Sequence, residues 1–600
     1  MIWLWSLLAS VAYSAHVNFQ LDLTWKEGSP DGNKRQMVLM NNQFPGPQLT
    51  LNYGDTVQFV VHNRLPFEAT VHFHGIDQQG TPWFDGVPGV SQDAIQPGTS
   101  FTYDWNATSH GAYWYHAHSR GLMQDGLYGA IIIKPPPGEA RPFSMISSDR
   151  KAVAAMEKAE LNSHVVLVSD WTHITSEQWF AAEEASNLDI YCVDSILING
   201  KGSVGCLPLT SLNSFVSPHL APMLKSENTI FSDRGCAPMT AKFLGEGDFN
   251  DTKPNTVPET IMNGCKTTTG SQEVFQVEGA DGWASFHFIG ATALKMPTAS
   301  IDEHPMWVYA VDGQYIRPQM AHNIPLRNGE RYSVMVRLDK TPGDYQIRIA
   351  NTLPNQILSG FAKMSYTGGS KRLPSKPYIN YAGINVTRSV MALDENQLLP
   401  FNAPYPAQTA DATHILTLAR LGHNYRWTLN NKTSYSMELE KHRPLLFYPN
   451  PNGTIPADLV VRTKMNTWVD IIFVVDVGDS NPAQPPHSMH KHGNKMYFIG
   501  SGVGPFVWPS VEEAMKVIPQ NFKITNAPYR DTVTTAQTRF APTWIAMRYH
   551  VENPGAFILH CHMLTHVEGG MAVILMDGVD EWPKIPADIL NGVYSRRIEK

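Results

Sequence analysis

Cysteine is scarce in this chain, five among 600 residues, and unevenly placed. Cys192, Cys206, Cys236 and Cys265 crowd into one window, whereas Cys561 stands alone near the end. In an oxidising compartment the cluster makes two disulfides whose connectivity the sequence leaves open, and Cys561 has no partner. Basic blocks are absent: 46 Lys plus Arg against 54 Asp plus Glu leave a net charge of -8, which excludes a phosphate-gripping surface and nucleic acid as a partner. Long hydrophobic runs are lacking too. The uncharged stretch Ile2 to Tyr13 falls far short of the ~20 residues needed to cross a bilayer, so no membrane span is expected. Followed by the small Ser14 and Ala15, it reads as a secretory leader over residues 1–15. The ending RRIEK carries no anchor, and the protein is expected outside the cell or in the cell wall.

What is present is a globular chain. Its 42% hydrophobic content excludes disorder, and its length exceeds the roughly 250 to 300 residues at which one core stops growing, so several domains are expected. Short β-branched and aromatic runs between Gly, Pro and Asn turns predict strands at Thr56 to His62, Ala130 to Ile133, His164 to Val168, Tyr332 to Val336, Tyr345 to Ile349 and Trp468 to Val475. Helical periodicity is confined to Ala152 to Leu161 and Val511 to Val517, which favours a β-sandwich or barrel over α/β. The ends of the chain also resemble each other. GAYWYHAH at 111–118 matches GAFILHCH at 555–562, and HFHG at 72–75 matches HKHG at 490–493. Two related domains therefore flank a middle one, with boundaries 16–150, 151–375 and 376–600 near PPPGEARP and the stretch from Ser370 to Pro406. Sequons at Asn106, Asn250, Asn385, Asn431 and Asn452 suit a glycosylated surface.

Twenty-three histidines should give roughly one H-x-H pair by chance, yet there are four: His72/His74, His116/His118, His490/His492 and His560/His562. Residues i and i+2 of a strand face one side, so each pair can present two imidazoles to a metal centre. Cys561 points away from its two neighbours, with His566 and Met571 following it and His487 upstream as the missing imidazole. Two imidazoles, a thiolate and a weak axial thioether form the ligand set of a blue copper site. The histidines flanking Cys561 then make a short electron wire to a second metal cluster.

These four copper motifs, HFHG, WYHAHS, HSMHKHG and HCHMLTHVEGGM, closely resemble those of the multicopper oxidases, and NNQFPGPQL, DGVPGVSQ and GLMQDGLYGA extend the likeness. The resemblance implies an all-β fold of three consecutive cupredoxin-like Greek-key domains holding four coppers. It implies a type 1 copper on His487, Cys561 and His566 with Met571 axial, and a type 2 copper on His72 and His490. One type 3 copper would take His74, His116 and His562, and the other His118, His492 and His560. Asp85, in FDGVPG, matches a family carboxylate near the trinuclear cluster, where it would relay protons. Relatives often carry another acid within H-C-H-x-x-x-H, where this chain has Met563, Leu564 and Thr565.

Within the family, VDSILINGKG at 193–202 resembles the stretch in which an acid meets a phenol, which nominates Asp194. The overlapping GKGSVG fits a dinucleotide fingerprint, but Cys206 and Pro208 oppose the helix that such a site requires. The wording is most like filamentous-fungal laccases of conidial and polyketide pigments, which implies oxidation of phenolic or naphtholic aromatics by dioxygen, with other pigment-pathway proteins as partners. Ferroxidase, ascorbate oxidase and non-enzymatic copper binding are the alternatives. The other histidines, His304 and His423 among them, lack ligand spacing and read as structural.

Overall fold

The computed structural model describes residues 14–217, 220–239, 251–369, 375–448, 455–477, 484–538, 541–592 and 594–598. The expected leader, apart from Ser14 and Ala15, and the sequons at Asn250 and Asn452 lie outside the described residues.

Each predicted strand is present, for the reason the pattern suggested. Thr56–Arg64 buries alternate residues, so Val57, Phe59, Val61 and Asn63 face inward while their neighbours face out. Among the described residues the strands assemble into six sheets, two for each third of the chain. In the first third, Arg35–Met40, His16–Gly28, Thr56–Arg64 and Thr99–Asn106 make one sheet; Leu49–Asn52, Tyr128–Lys134, Gly111–His116 and His72–His74 make the other. The first sheet is extended by Ser595–Arg597, which pairs with Thr99–Asn106, so the end of the chain returns to the N-terminal domain.

One pairing scheme recurs three times. Each domain has one parallel strand pair per sheet, and most other pairs are antiparallel. His16–Gly28 lies parallel to Thr56–Arg64, His164–Trp171 to Trp283–Gly290, and Ala412–Leu421 to Trp468–Val475. In the second sheets the parallel partners are Leu49–Asn52 with Tyr128–Lys134, Val274–Val277 with Ser359–Tyr366, and Val460–Arg462 with Ala572–Asp577. The middle domain thus repeats the outer two without their histidine motifs.

Helices are accessory. Arg150–Leu161 and Val511–Met515 lie where periodicity placed them, whereas Ser176–Ser186, opened by a Thr175–Gln178 capping box, was not anticipated. Between Ser195–Ile198 and Val274–Val277 a long insertion is stapled by the Cys192–Cys236 and Cys206–Cys265 disulfides, and Cys561 remains free and buried.

Candidate metal centres and substrate cleft

Two antiparallel ladders build the larger centre. In the first domain His72 sits directly across from His116, and in the third His490 sits directly across from His560. Because i and i+2 share a face, each ladder turns four imidazoles toward the other, and the two sets interleave. His72 stacks on His492 and His74 on His490, both with ring centroids 3.7 Å apart. His562 Nε2 lies 3.2 Å from His74 Nδ1, and His118 Nε2 lies 3.4 Å from His560 Nε2.

The hydrogen bonds around the rings fix which nitrogen is available. Nδ1 of His72, His116, His490 and His560 donates to the backbone oxygens of Asp85, Ala117, Asp531 and Cys561 at 2.7, 2.8, 3.0 and 2.9 Å. The opposite Nε2 atoms of these rings therefore keep their lone pairs. In His72, His116, His490 and His492 that Nε2 is buried without a hydrogen-bond partner. Burial, with crowding by other imidazoles, holds the pKa of His74, His116, His118, His490, His492 and His562 well below the usual histidine range. Neutral imidazoles with converging, unsatisfied lone pairs are costly unless a cation lies among them, so the donor set fits copper.

Asp85 braces this centre from beneath. Its Oδ2 accepts from His492 Nδ1 at 2.8 Å, and its backbone oxygen takes His72 Nδ1. Three supports were not visible in the sequence. Asp531 holds His490 through its backbone oxygen, and its carboxylate is gripped at 2.5 and 2.7 Å by Arg331 of the middle domain. Gly329, at φ +85°, brings the middle domain so close that a Cβ there would lie 2.8 Å from His74 Cε1 and 3.0 Å from His562 Cδ2.

The smaller centre lies on the other side of strand Gly555–Cys561. Cys561 Sγ is 3.5 Å from His566 Nδ1 and 3.9 Å from His487 Nδ1, and the two Nδ1 atoms are 3.0 Å apart. Burial pushes the Cys561 thiol up to about 12, so a thiolate forms there at neutral pH only with a thiophilic cation. Met571 is fully buried in the same apolar cluster as Cys561, and its N–H donates to His566 O. His560, Cys561 and His562 thus join the two centres through consecutive residues.

Nε2 of His566 faces a cleft of roughly 740 Å3 walled by Leu294, Leu353, Pro354, Pro485 and Pro486. Asp194, the acid nominated from the sequence, lies outside the lining of this cleft. That side chain is turned away, with Oδ1 paired to Arg234 and Oδ2 accepting the His173 N–H at 2.7 Å, and it does not line the cleft. The carboxylate that does is Asp189, five residues earlier, with Oδ2 3.3 Å from His566 Nε2 but not aligned for a hydrogen bond. The signal for it was its place in NLDIYCVDS, where two acids compete for one role. A second cavity of roughly 500 Å3 opens on His116, His118, His560 and His562 and is lined by Glu440 and Glu568. Burial raises both carboxyls, Glu568 to about 7.

Three two-sheet β domains, a buried His–Cys–His centre and an eight-histidine cluster between the outer domains define a metal-dependent electron-transfer enzyme. The chain belongs to the multicopper oxidase family, which matches it over residues 22–138, 235–367 and 423–581 and implies copper as its cofactor. It is similar to laccase abr2 of Aspergillus fumigatus, 47% identical over 97% of this chain and 98% of that one. It is also similar to multicopper oxidase GIP1 of Gibberella zeae, 41% identical over 97% of this chain and 87% of that one. The solved laccase from Botrytis aclada shares the fold at TM-score 0.68 and 21% identity, covering 96% of this chain and 90% of that chain.

Proposed function

We propose that this protein is a secreted laccase-type oxidase that takes electrons singly from phenolic or naphtholic aromatics and delivers them to dioxygen. The observation that carries this reading is the cleft, in which one imidazole presents Nδ1 to Cys561 and Nε2 to a space shared with the Asp189 carboxylate. A phenol hydroxyl that reaches the Asp189 carboxylate loses its proton to it as its electron leaves through the His566 edge, so a neutral aryloxyl radical forms rather than a radical cation. Four phenols release four electrons and four protons, which convert one dioxygen to two waters. Coupling of the released radicals gives the dimers or polymers of a pigment.

His487, Cys561 and His566, with Met571 beside them, would hold a copper that supplies a one-electron acceptor, and the histidine cluster would hold three further coppers that supply multi-electron reduction of dioxygen. In that cluster His72 and His490 would hold the type 2 ion; His74, His116 and His562 would hold one type 3 ion; and His118, His492 and His560 the other. Asp85 fixes two of these rings and keeps a carboxylate beside them for proton transfer. The carboxyls of Glu440 and Glu568, lining the cavity that reaches the cluster, take the place of the acid missing from Met563 to Thr565.

A ferroxidase would need several hard oxygen ligands converging beside His566. Among the described residues Asp189 is the only carboxylate lining this cleft; its other polar lining groups include the neutral Asn355, Gln484, Gln537 and Thr565 and the Arg420 cation, which does not favour binding Fe(II). Oxygen uptake with a dihydroxynaphthalene and with Fe(II) separates the two: a higher kcat/KM for the naphthol supports the laccase reading, and a higher value for Fe(II) overturns it.

A further inference from the structure

The two imidazoles of the smaller centre differ at their outer nitrogens. His566 turns Nε2 to the cleft, where it has no hydrogen-bond partner among the described residues. His487 turns Nε2 to the side-chain amide of Gln484, with Oε1 at 3.0 Å. The orientation of that amide is fixed, because its Nε2 donates to two carbonyl oxygens, Leu418 O at 3.2 Å and Asp476 O at 3.0 Å, which an amide oxygen could not face. Oε1 is therefore the acceptor and the ring nitrogen the donor. The lone pair of His487 is left on Nδ1, the atom 3.9 Å from Cys561 Sγ. Gln484 is itself immobilised: it is 1% exposed, and its backbone N–H and oxygen pair with Thr538 at 2.9 and 3.2 Å. Thr535 holds the His487 backbone in a similar way, its hydroxyl accepting the N–H and its own N–H donating to the oxygen, both at 3.0 Å.

We propose that Gln484 is a positioning residue of the smaller centre: it fixes the His487 tautomer, raises the donor strength of Nδ1 and so lowers the potential of the electron acceptor held there. This rests on the copper assignment above. An N–H bonded to an amide oxygen pushes electron density toward the opposite ring nitrogen, and the more highly charged Cu(II) gains more from a stronger donor than Cu(I) does. The same bond closes the outer edge of His487, so of the two rings only His566 presents an unpaired Nε2 to the cleft. One glutamine thus sets both how strongly the centre pulls an electron and through which imidazole the electron arrives.

The test is the redox equilibrium of the copper-loaded protein with the hexacyanoferrate(II)/(III) couple, read from the thiolate-to-copper band in wild type and in Gln484→Leu, which keeps most of the side-chain bulk and removes the acceptor. An outer partner of a ligating histidine is typically worth about tenfold or more in metal affinity, and the loss falls mainly on Cu(II). The equilibrium should therefore move about tenfold toward the reduced protein, or about 59 mV for one electron. An unmoved equilibrium, or one shifted toward the oxidised protein, would overturn the role of Gln484. A measurement on wild type alone covers the case in which the variant fails to fold. In D2O the ring N–H proton of His487, followed by electron–nuclear double resonance on the type 1 signal, should persist about tenfold longer than that of His566, and equal exchange of the two overturns the proposal. If copper-loaded wild type shows no thiolate-to-copper band, the copper assignment fails and this role with it. A normal band with an unmoved equilibrium removes only Gln484.

Discussion

Replacing Asp189 by Asn keeps the size and shape of the side chain but removes the base that faces the His566 edge. In the structure its Oδ2 is 3.3 Å from Nε2, so a hydroxyl held at the carboxylate lies beside the His566 edge and can lose a proton and an electron together. A positioned base typically contributes about a hundredfold or more, so kcat/KM for a naphthol should fall by about two orders of magnitude, or about 3 kcal/mol of barrier. Hexacyanoferrate(II), which gives an electron and no proton, is the control, and its oxidation should change by less than about threefold because the His487, Cys561 and His566 ligand set is intact. The naphthol rate should also recover partly as pH rises toward the phenol's own ionisation, where the base is not needed. Stopped-flow reduction with the two donors reads both effects. An equal loss with both donors would mean that Asp189 shapes the metal site, and an unchanged naphthol rate would remove it from the chemistry.

Asp194→Ala, by contrast, breaks the pair with Arg234, whose side chain is 10% exposed against 11% for Asp194, and should cost about 3 kcal/mol in denaturant unfolding while kcat/KM per blue copper stays unchanged. A selective loss of naphthol turnover would restore Asp194 as a substrate acid. Gly329→Ala should lower copper occupancy at the histidine cluster and leave the thiolate-to-copper band intact, since its Cβ would press on His74 and His562 at an already left-handed φ; full occupancy by metal analysis would contradict this. Glu568 should lower stability as pH rises: its folded value is raised by burial from 4.5 to about 7, so the folded state holds the proton more tightly than the unfolded one throughout that interval. Glu568→Gln should therefore gain stability over wild type as pH passes from about 4.5 to about 7, reaching about 3 kcal/mol above it. A difference independent of pH, measured by denaturant midpoint, would refute the assignment.

The strands and histidine pairs were legible because both rest on a period of two. Alternation in Thr56–Arg64 specifies a half-buried strand, and the same alternation puts His72 with His74 and His490 with His492 on one side. The repeat of the fold in the middle domain was legible only through the family resemblance, since its parallel pairs are defined by backbone hydrogen bonds and carry no histidine motif. Asp189 went unrecognised in the sequence for a similar reason. What holds Asp194 away from the cleft is Arg234, forty residues further along an insertion positioned by two disulfides, and no local pattern reveals which acid that guanidinium claims. Gly329, Arg331 and Asp531 likewise reach the cluster through domain packing, so their roles depend on distances that exist only in the folded chain.

The most direct test of the account is made on Cys561, the residue that joins the two centres. Copper-loaded wild type should show the intense thiolate-to-copper band and consume oxygen with a naphthol. Cys561→Ser should lose both while metal analysis still finds copper at the histidine cluster. A Ser variant that kept the band, or that continued to oxidise the naphthol at the wild-type rate, would contradict the assignment of Cys561 as the electron entry to the site of dioxygen reduction.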